Sequence, residues 1–233
     1  YGRKKMKRFL EYELDRYLIG RAQEPRAERA LMDATTSQGY IHYRRGSLTM
    51  YALKDYLGEE TVNRVLSDFL AEHKYESPPF VTSEALVRRF EAAAPDSLEG
   101  FVSDLFREIT LYENRAVDAT YTETDDGQYR VELTVNAKKL QADSLGTEQE
   151  TQLDAPLPIG VFAADADVGA EEQKELYLQK HDLTTGEQTV TITVDEKPAR
   201  AGIDPYVTLV DRNTDDNVTS VSRADETEGE AAQ

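Results

Sequence analysis

Apolar residues recur at helical spacing through the first half of the chain. In residues 3–19 the stripe includes Leu10, Leu14 and Tyr17, and Gly20 follows where a C-cap glycine is common. Further stripes predict helices over residues 26–33, 39–58, 60–73, 83–93 (capped by Thr82 or Ser83) and from Asp96 or Ser97 to Ile109. Residues 1–112 are therefore predicted to be an all-helical block.

The period changes to two after about residue 116. Val117, Ala119 and Tyr121 alternate with polar residues, and Asp126-Gly127 precedes a second alternating run, which predicts a hairpin. Residues 153–163 predict an edge strand because they contain two prolines. Residues 176–183 and 189–194 flank a Thr-Gly pair and predict a second hairpin. Short strands separated by turns favour a β-sandwich.

These patterns predict a multidomain protein of the α plus β class. We expect a helical domain over residues 1–113, an all-β sandwich over residues 114–212 and a disordered acidic tail over residues 213–233. The tail carries six acidic residues, one arginine and few apolar side chains, a composition typical of disorder. The chain starts at Tyr1 within helix-like sequence, so we expect a fragment of a longer polypeptide.

Charge separates the start of the chain from the rest. The 233 residues carry a net charge of −18, yet residues 1–30 hold nine Lys and Arg against five Asp and Glu. The overall acidity argues against nucleic acid as a partner. The basic residues between Arg3 and Arg8 have two interpretations. They contact anionic lipid headgroups, or they belong to a solvated helix end. No cysteine is present, so no thiolate chemistry is available.

Motifs for complete catalytic sites are missing from the sequence. The three histidines, His42, His73 and His181, have no partners at metal-ligand spacing, and no HExxH, P-loop, GxGxxG or GxSxG motif occurs. His73 ends a predicted helix, which favours a capping or dipole role. We therefore expect no metal site and no cofactor in this chain alone.

The most patterned stretch, Gly39 to Gly58, places aromatic and basic residues before an amphipathic helix. Tyr40 and Tyr43 lie three residues apart and would share a helix face. A tyrosine before a helix start could supply a phenol donor to a neighbouring site. A packing role is the alternative for both, and it is the favoured one for Tyr40.

This stretch resembles the helical part of gluzincin zinc aminopeptidases of the aminopeptidase N type. The family pattern Tyr-x-Lys-Gly is matched by Tyr43-Arg44-Arg45-Gly46, and an apolar helical stripe follows in both. The family pattern Leu-Gly-x-Glu is then matched by Leu57-Gly58-Glu59-Glu60. The stretches Arg8 to Asp15 and Gly202 to Arg212 are similar to a bacterial subgroup in which the peptidase is fused to an ABC-transporter-type permease. The resemblance spans roughly residues 5–221.

The resemblance implies a fold, a site residue and partners. The helical block would be the α-lobe of a thermolysin-like peptidase, followed by the sandwich. Tyr43 would donate its hydroxyl to the oxyanion of a tetrahedral intermediate, since a phenol with a reference pKa of about 10 is a neutral donor at pH 7. Zinc would bind in the parent only, through an HExxH helix and a distal glutamate upstream. The parent would cleave peptides at the bacterial plasma membrane, anchored through upstream segments.

The chain departs from the family pattern at several points. Arg45 replaces the usual lysine, which keeps the charge but changes its shape. The zinc ligands and the exopeptidase motif have no counterpart in these residues. A non-catalytic interaction module attached to a transporter is therefore an alternative function, and a lipid- or peptide-binding module is a third.

Asp204-Pro205 is predicted to shape a strand-end turn. Asp211 and Arg212 are predicted to form an ion pair.

Overall fold

The computed structural model describes residues 2–164 and 174–224, which form a mixed α and β structure. Within these ranges lie five α-helices: α1 Arg3–Gln23, α2 Gly46–Leu57, α3 Glu59–His73, α4 Ser83–Ala93 and α5 Glu99–Phe106. A π-helix, Tyr40–Arg45, leads directly into α2, and short 3-10 helices occupy Leu31–Asp33, Asp96–Leu98 and Thr214–Asp216. None of the described helices is long and apolar enough to cross a membrane.

Eleven strands in the described ranges form three sheets. They are β1 Ile109–Tyr112, β2 Arg115–Glu123, β3 Tyr129–Ala137, β4 Lys139–Ala142, β5 Glu148–Thr151, β6 Leu157–Ala163, β7 Glu175–His181, β8 Gly186–Val194, β9 Pro198–Ile203, β10 Val218–Ser220 and β11 Ser222–Arg223. The sheet orders are β1-β4-β5, β10-β9-β6-β7 and β11-β2-β3-β8. The two four-stranded sheets contact each other through β2 and β3 on one side and β9 and β10 on the other.

Two apolar clusters hold these elements together. The larger one joins helical residues such as Leu53, Phe90 and Phe101 to strand residues such as Leu133 and Ile159, so its contacts run across the predicted boundary near residue 113. The smaller cluster joins the inner face of α1 to α2, β1, β4 and the segment after β9 through Leu10, Leu14, Tyr17, Leu48, Leu111, Leu140, Val207 and Val210. The position of a domain boundary stays a prediction.

The hairpin at Asp126-Gly127 is confirmed. Strands β2 and β3 pair antiparallel, from Glu123 opposite Tyr129 back to Arg115 opposite Asn136. Gly127 adopts a φ of +80°, a conformation that costs glycine little. The alternating pattern holds at Ala119 and Tyr121, which are buried, but fails at Val117, which is exposed at a β-bulge between Ala116 and Asp118.

Predictions of the helix ends were less accurate. Gly20 does not end α1, which continues to Gln23. A Cβ atom on Gly20 would lie 2.4 Å from the Cβ of Tyr40, so this glycine allows the two segments to approach closely. The helix predicted over residues 26–33 is reduced to Leu31–Asp33. Ile109 starts β1 rather than ending a helix, so the first 112 residues are not all helical.

Two strand assignments were wrong because they depend on long-range pairing. β6 is not an edge strand, since it pairs with both β7 and β9. Its Pro158 lies one residue before pairing with β9 begins at Ile159, which explains how a proline is accommodated there. β7 and β8 do not form a hairpin, because β7 pairs with β6 while β8 pairs with β3.

The predicted disorder is wrong for residues 213–224. There β10 pairs with β9, and β11 pairs parallel to β2 two residues later. This segment therefore connects the two four-stranded sheets. The remaining part of the predicted tail, residues 225–233, lies outside the described residues.

Candidate functional site

The π-helix Tyr40–Arg45 presents the one site residue that the sequence predicted, Tyr43. π-helical turns are rare and are frequently found at functional sites. Ser47, in the first turn of α2, donates a hydrogen bond from Oγ to the Tyr43 carbonyl at 2.8 Å. The wide turn and this hydrogen bond fix the backbone from which the Tyr43 side chain projects.

Tyr43 itself lies on the open surface. Its side chain is 68% exposed, and its ring centroid lies 4.3 Å from that of His42. The Tyr43 hydroxyl makes no hydrogen bond to the residues that the structure describes. The phenol is therefore free to donate to a group that approaches from outside the described part of the chain.

Arg45, two residues later, is almost completely buried and anchors the turn. Its Nη2 donates to the carbonyl of Glu108 and, at 3.4 Å, to that of Asp104. Both acceptors lie at the junction between α5 and β1, so the guanidinium ties the π-helix to a distant segment. Arg45 thus has a structural role here, which the sequence pattern did not reveal.

A polar group lies beneath the turn, and we name it the Arg45 cluster. It consists of the buried residues Tyr17, Glu28 and Arg45 and the partly buried Arg21. Tyr17 donates to Glu28 at 2.6 Å, Arg21 donates from Nε to Glu28 at 2.7 Å, and the Arg45 Nη1 lies 3.5 Å from the Tyr17 hydroxyl. Burial raises the pKa of Tyr17 well above its usual range, so Tyr17 stays a neutral donor at neutral pH. The cluster gives the exposed turn a rigid base.

Tyr40 belongs to this base and not to the exposed surface. Its ring stacks on that of Tyr17 with centroids 6.0 Å apart, over the space left by Gly20. Burial raises the pKa of Tyr40 to about 12, and its hydroxyl is buried without a partner among the described residues. This placement agrees with the packing role favoured for Tyr40.

Arg44 connects the turn to α1. It forms a 2.8 Å ion pair with Glu13, and its guanidinium lies 5.8 Å from the ring centroid of Tyr12. Tyr12 is also approached by Arg16, at 5.3 Å. Tyr43 therefore stands beside a surface that is both aromatic and basic.

The structure does not bring the three histidines together. His73 lies 3.0 Å from Glu76 just beyond α3, where the sequence predicted a capping or dipole role. His181 lies 2.7 Å from the Tyr177 hydroxyl on β7, and burial lowers its pKa. Within residues 2–164 and 174–224, no group of three or more His, Asp and Glu side chains is arranged to hold a metal ion.

A buried ion pair that has no signal in the local sequence joins α5 to β4. The Lys139 ammonium lies 2.8 Å from Asp104 and also donates to Asp154, while Gln141 donates to the second Asp104 oxygen at 2.9 Å. Burial raises the pKa of Asp104, against the lowering influence of Lys139. In the sequence Lys139 looked like an ordinary strand lysine, so no local signal marked it.

Two further carboxylates are buried between β9 and β10. Asp204 accepts hydrogen bonds from the backbone N–H groups of Thr208 and Leu209, both at 2.9 Å, and Asp211 accepts from Asn114 at 3.0 Å. Burial raises the pKa of Asp204 to about 6 and that of Asp211 to about 7, although these hydrogen bonds oppose the shift. We name residues 204–211 the Asp204–Asp211 segment.

The Asp204–Asp211 segment corrects one prediction and extends another. Asp211 does not pair with Arg212, whose guanidinium contacts Glu113 and Glu148 instead. Asp204 does shape a turn, with a φ of +40°. Its carboxylate accepts from the two N–H groups that follow Val207, and Val207 is held at a φ of +57°. A β-branched residue rarely adopts such an angle, so the hydrogen bonds from Thr208 and Leu209 hold a strained loop in place.

The nearest large cavity to this loop does not include Tyr43. It has a volume of about 350 Å³ and is lined by Arg3, Tyr51, Asp55, Pro158, Leu178, Gln179, Lys180, Tyr206 and Thr208. All three of its charged lining residues have partners, since Asp55 and Lys180 lie 2.7 Å apart and Arg3 lies 3.7 Å from Glu175. A second cavity of about 360 Å³ is lined by Tyr40, but its arginines are paired with acids, as in Arg26 with Glu24.

Comparison of the chain with protein-family models and with curated proteins finds no match.

Proposed function

We propose that this chain is the C-terminal part of a membrane-anchored zinc metallopeptidase of the aminopeptidase type. The observation that carries the proposal is Tyr43, an exposed phenol without a partner among the described residues, on a π-helical turn with a buried base. Its role is to donate a hydrogen bond to the oxyanion that forms when a peptide carbonyl is attacked. Donors of this kind contribute about 3 kcal/mol to the stabilisation of a transition state.

The proposal assigns the zinc to sequence that precedes this chain. The described residues do not fit a zinc site, since they contain no suitable group of ligands. The part of the reaction that belongs to this chain is therefore limited to the donor at Tyr43 and to its support by the Arg45 cluster. The chain on its own is inactive under this proposal.

The proposal also gives a finer interpretation of the fold. The helices of residues 1–113 correspond to the helical lobe of the peptidase domain. The two four-stranded sheets, which include β10 and β11 beyond residue 212, correspond to a β-sandwich domain. The contacts of β2 and β3 with β9 and β10 support the sandwich, because two sheets that share an apolar core have this arrangement.

A non-catalytic interaction module is the second candidate function. A specific observation favours it: Leu70, Tyr75 and Phe80, around the loop between α3 and α4, are 65%, 97% and 68% exposed. Exposed apolar side chains that lie within one short stretch of chain can form a protein-interaction surface. Under this alternative the same fold would bind a partner protein beside a transporter permease.

The two candidates are distinguished by the residues encoded before Tyr1 and by metal content. The peptidase proposal expects an HExxH motif and a distal glutamate there, and stoichiometric zinc in the full-length polypeptide by elemental analysis. This chain alone should then contain no stoichiometric zinc. Substituted ligands upstream would contradict the peptidase proposal, and tight one-to-one zinc binding by this chain would contradict the assignment of the ligands to upstream sequence.

A further inference from the structure

The first two turns of α1 carry a concentration of positive charge. Five cations, Arg3, Lys4, Lys5, Lys7 and Arg8, occur within residues 1–10, which contain no acidic residue. All five lie on α1, which starts at Arg3. Residues 31–233 carry a net charge of −22, so the start of α1 is a positive pole on an acidic protein.

Part of this charge is unpaired in the described structure. Arg3 lies 3.7 Å from Glu175, and Lys7 lies 3.6 Å from Glu11. Lys4 and Lys5 are exposed and form no ion pair with the described residues. These two ammonium groups are available to an external anionic partner.

Aromatic side chains lie on the same outer face of α1. Lys5, Phe9 and Tyr12 follow at spacings of four and three residues and so share one side of the helix. Phe9 is 46% exposed and Tyr12 is 48% exposed, whereas Leu10 and Leu14 on the opposite side are buried in the smaller core cluster. We name Lys4, Lys5 and Phe9 the basic α1 face.

We infer that the basic α1 face binds the surface of an anionic lipid bilayer. The ammonium groups of Lys4 and Lys5 contact lipid phosphates and carboxylates, and the Phe9 ring enters the interfacial layer. Tyr12 marks the end of this face, because Arg16 and Arg44 lie over its ring. The inference uses neither Tyr43 nor the Arg45 cluster, so it does not depend on the proposed function.

Charge complementarity decides in favour of a membrane over the other polyanions. A nucleic acid would wrap along the protein and meet the acidic surface of residues 31–233, whereas a flat bilayer can contact one pole only. At physiological ionic strength the Debye length is about 8 Å, so acidic residues on the far side contribute little repulsion. In any other orientation the acidic residues would face the anionic lipid and be repelled, so the chain is oriented with α1 toward the bilayer.

The test measures co-sedimentation of this chain with vesicles. Vesicles of equimolar phosphatidylserine and phosphatidylcholine should bind the chain, and vesicles of phosphatidylcholine alone should not. The double variant Lys4→Gln with Lys5→Gln should weaken partitioning about 30-fold, and Phe9→Ala should weaken it about tenfold. Binding should disappear near 1 M salt, where the Debye length is about 3 Å.

Two control variants and a measurement of self-association accompany the vesicle experiment. Arg130→Gln, which removes a half-exposed cation on β3, and Leu70→Ala, which removes an exposed apolar side chain on α3, should leave vesicle binding unchanged. Circular dichroism should give the same spectrum for all variants. The inference is overturned if the chain ignores anionic vesicles, if it binds both vesicle types equally, or if Phe9→Ala abolishes a dimer in analytical ultracentrifugation without altering vesicle binding.

Discussion

The Arg45 cluster and the Asp204–Asp211 segment both bury charged groups, but they neutralise them differently. In the cluster, Glu28 accepts from Arg21 and Tyr17, and Arg45 donates to backbone carbonyls. In the segment, Asp204 and Asp211 accept from backbone N–H groups and form no ion pair with the described residues. A buried carboxylate without a cation is costly in its charged form.

The difference separates the candidate site from the part of the molecule that responds to pH. The base beneath Tyr43 contains permanently charged guanidinium groups, so its hydrogen bonds persist across the neutral range. The Asp204–Asp211 segment contains carboxyls with pKa values of about 6 and about 7. We therefore expect stability to depend on pH through the segment, while the geometry at Tyr43 stays constant.

The largest effect is expected from Arg45→Ala. The substitution removes two charge-assisted hydrogen bonds and leaves a buried cavity, which should lower the free energy of unfolding by about 4 kcal/mol. Urea denaturation measures this change. Arg88→Ala is the matched control, because Arg88 is 72% exposed and its ion pair with Glu84 should contribute about 1 kcal/mol or less. Equal losses for both variants would contradict the anchoring role of Arg45.

The next effect is the pH dependence of stability. The folded pKa of Asp204 is about 6, above its unfolded value of 3.8, so the folded state holds the extra proton between these values. Its contribution to the free energy of unfolding is therefore constant below about pH 4. This contribution falls by about 3 kcal/mol as the pH rises toward 7. Asp211 acts in the same direction and extends the decline to about pH 7.

Thermal or urea unfolding between pH 4 and pH 8 measures this decline. Asp204→Asn removes the titrating carboxyl. The difference in free energy of unfolding between the wild type and this variant should therefore change by about 3 kcal/mol between pH 4 and pH 8. Asp215→Asn, an exposed carboxylate nearby, is the control and should keep the wild-type slope. A pH-independent gap for Asp204→Asn would show that this carboxyl is not the titrating group.

A smaller effect is expected from Gly20→Ala. The new Cβ would lie 2.4 Å from the Cβ of Tyr40 and would push the π-helix away from α1, at a cost of about 2 kcal/mol. Gly46→Ala is the comparison, since a Cβ there meets nothing closer than 3.8 Å and should be neutral or stabilising by up to about 1 kcal/mol. Differential scanning calorimetry compares the two, and a neutral Gly20→Ala would disprove the close contact.

The sequence predicts elements well where the partners are local. α3 and the β2–β3 hairpin follow from period and turn residues, because each depends on neighbours within about ten residues. β6 and β8 fail for the opposite reason: their partners β9 and β3 lie far along the chain, and no local pattern selects them. The pairing of β11 with β2 is hidden for the same reason.

The candidate site shows the same division. Tyr43 is singled out only by the resemblance of Tyr43-Arg44-Arg45-Gly46 to a family motif, and its site role stays a prediction. The burial of Arg45 and Lys139 could not be predicted, because their acceptors, Glu108 and Asp104, are brought to them only by the tertiary fold. A basic residue in a helix or strand is normally solvated, so its type gives no warning of burial.

The most direct test of the central claim measures the kinetics of the full-length polypeptide with Tyr43→Phe. The substitution removes only the hydroxyl of a side chain that is already exposed, so folding should be unaffected. The account predicts a fall in kcat of about 10²- to 10³-fold with little change in KM, while Tyr75→Phe, at a 97% exposed tyrosine, keeps wild-type kinetics. An unchanged kcat for Tyr43→Phe in an active enzyme would contradict the role assigned to Tyr43.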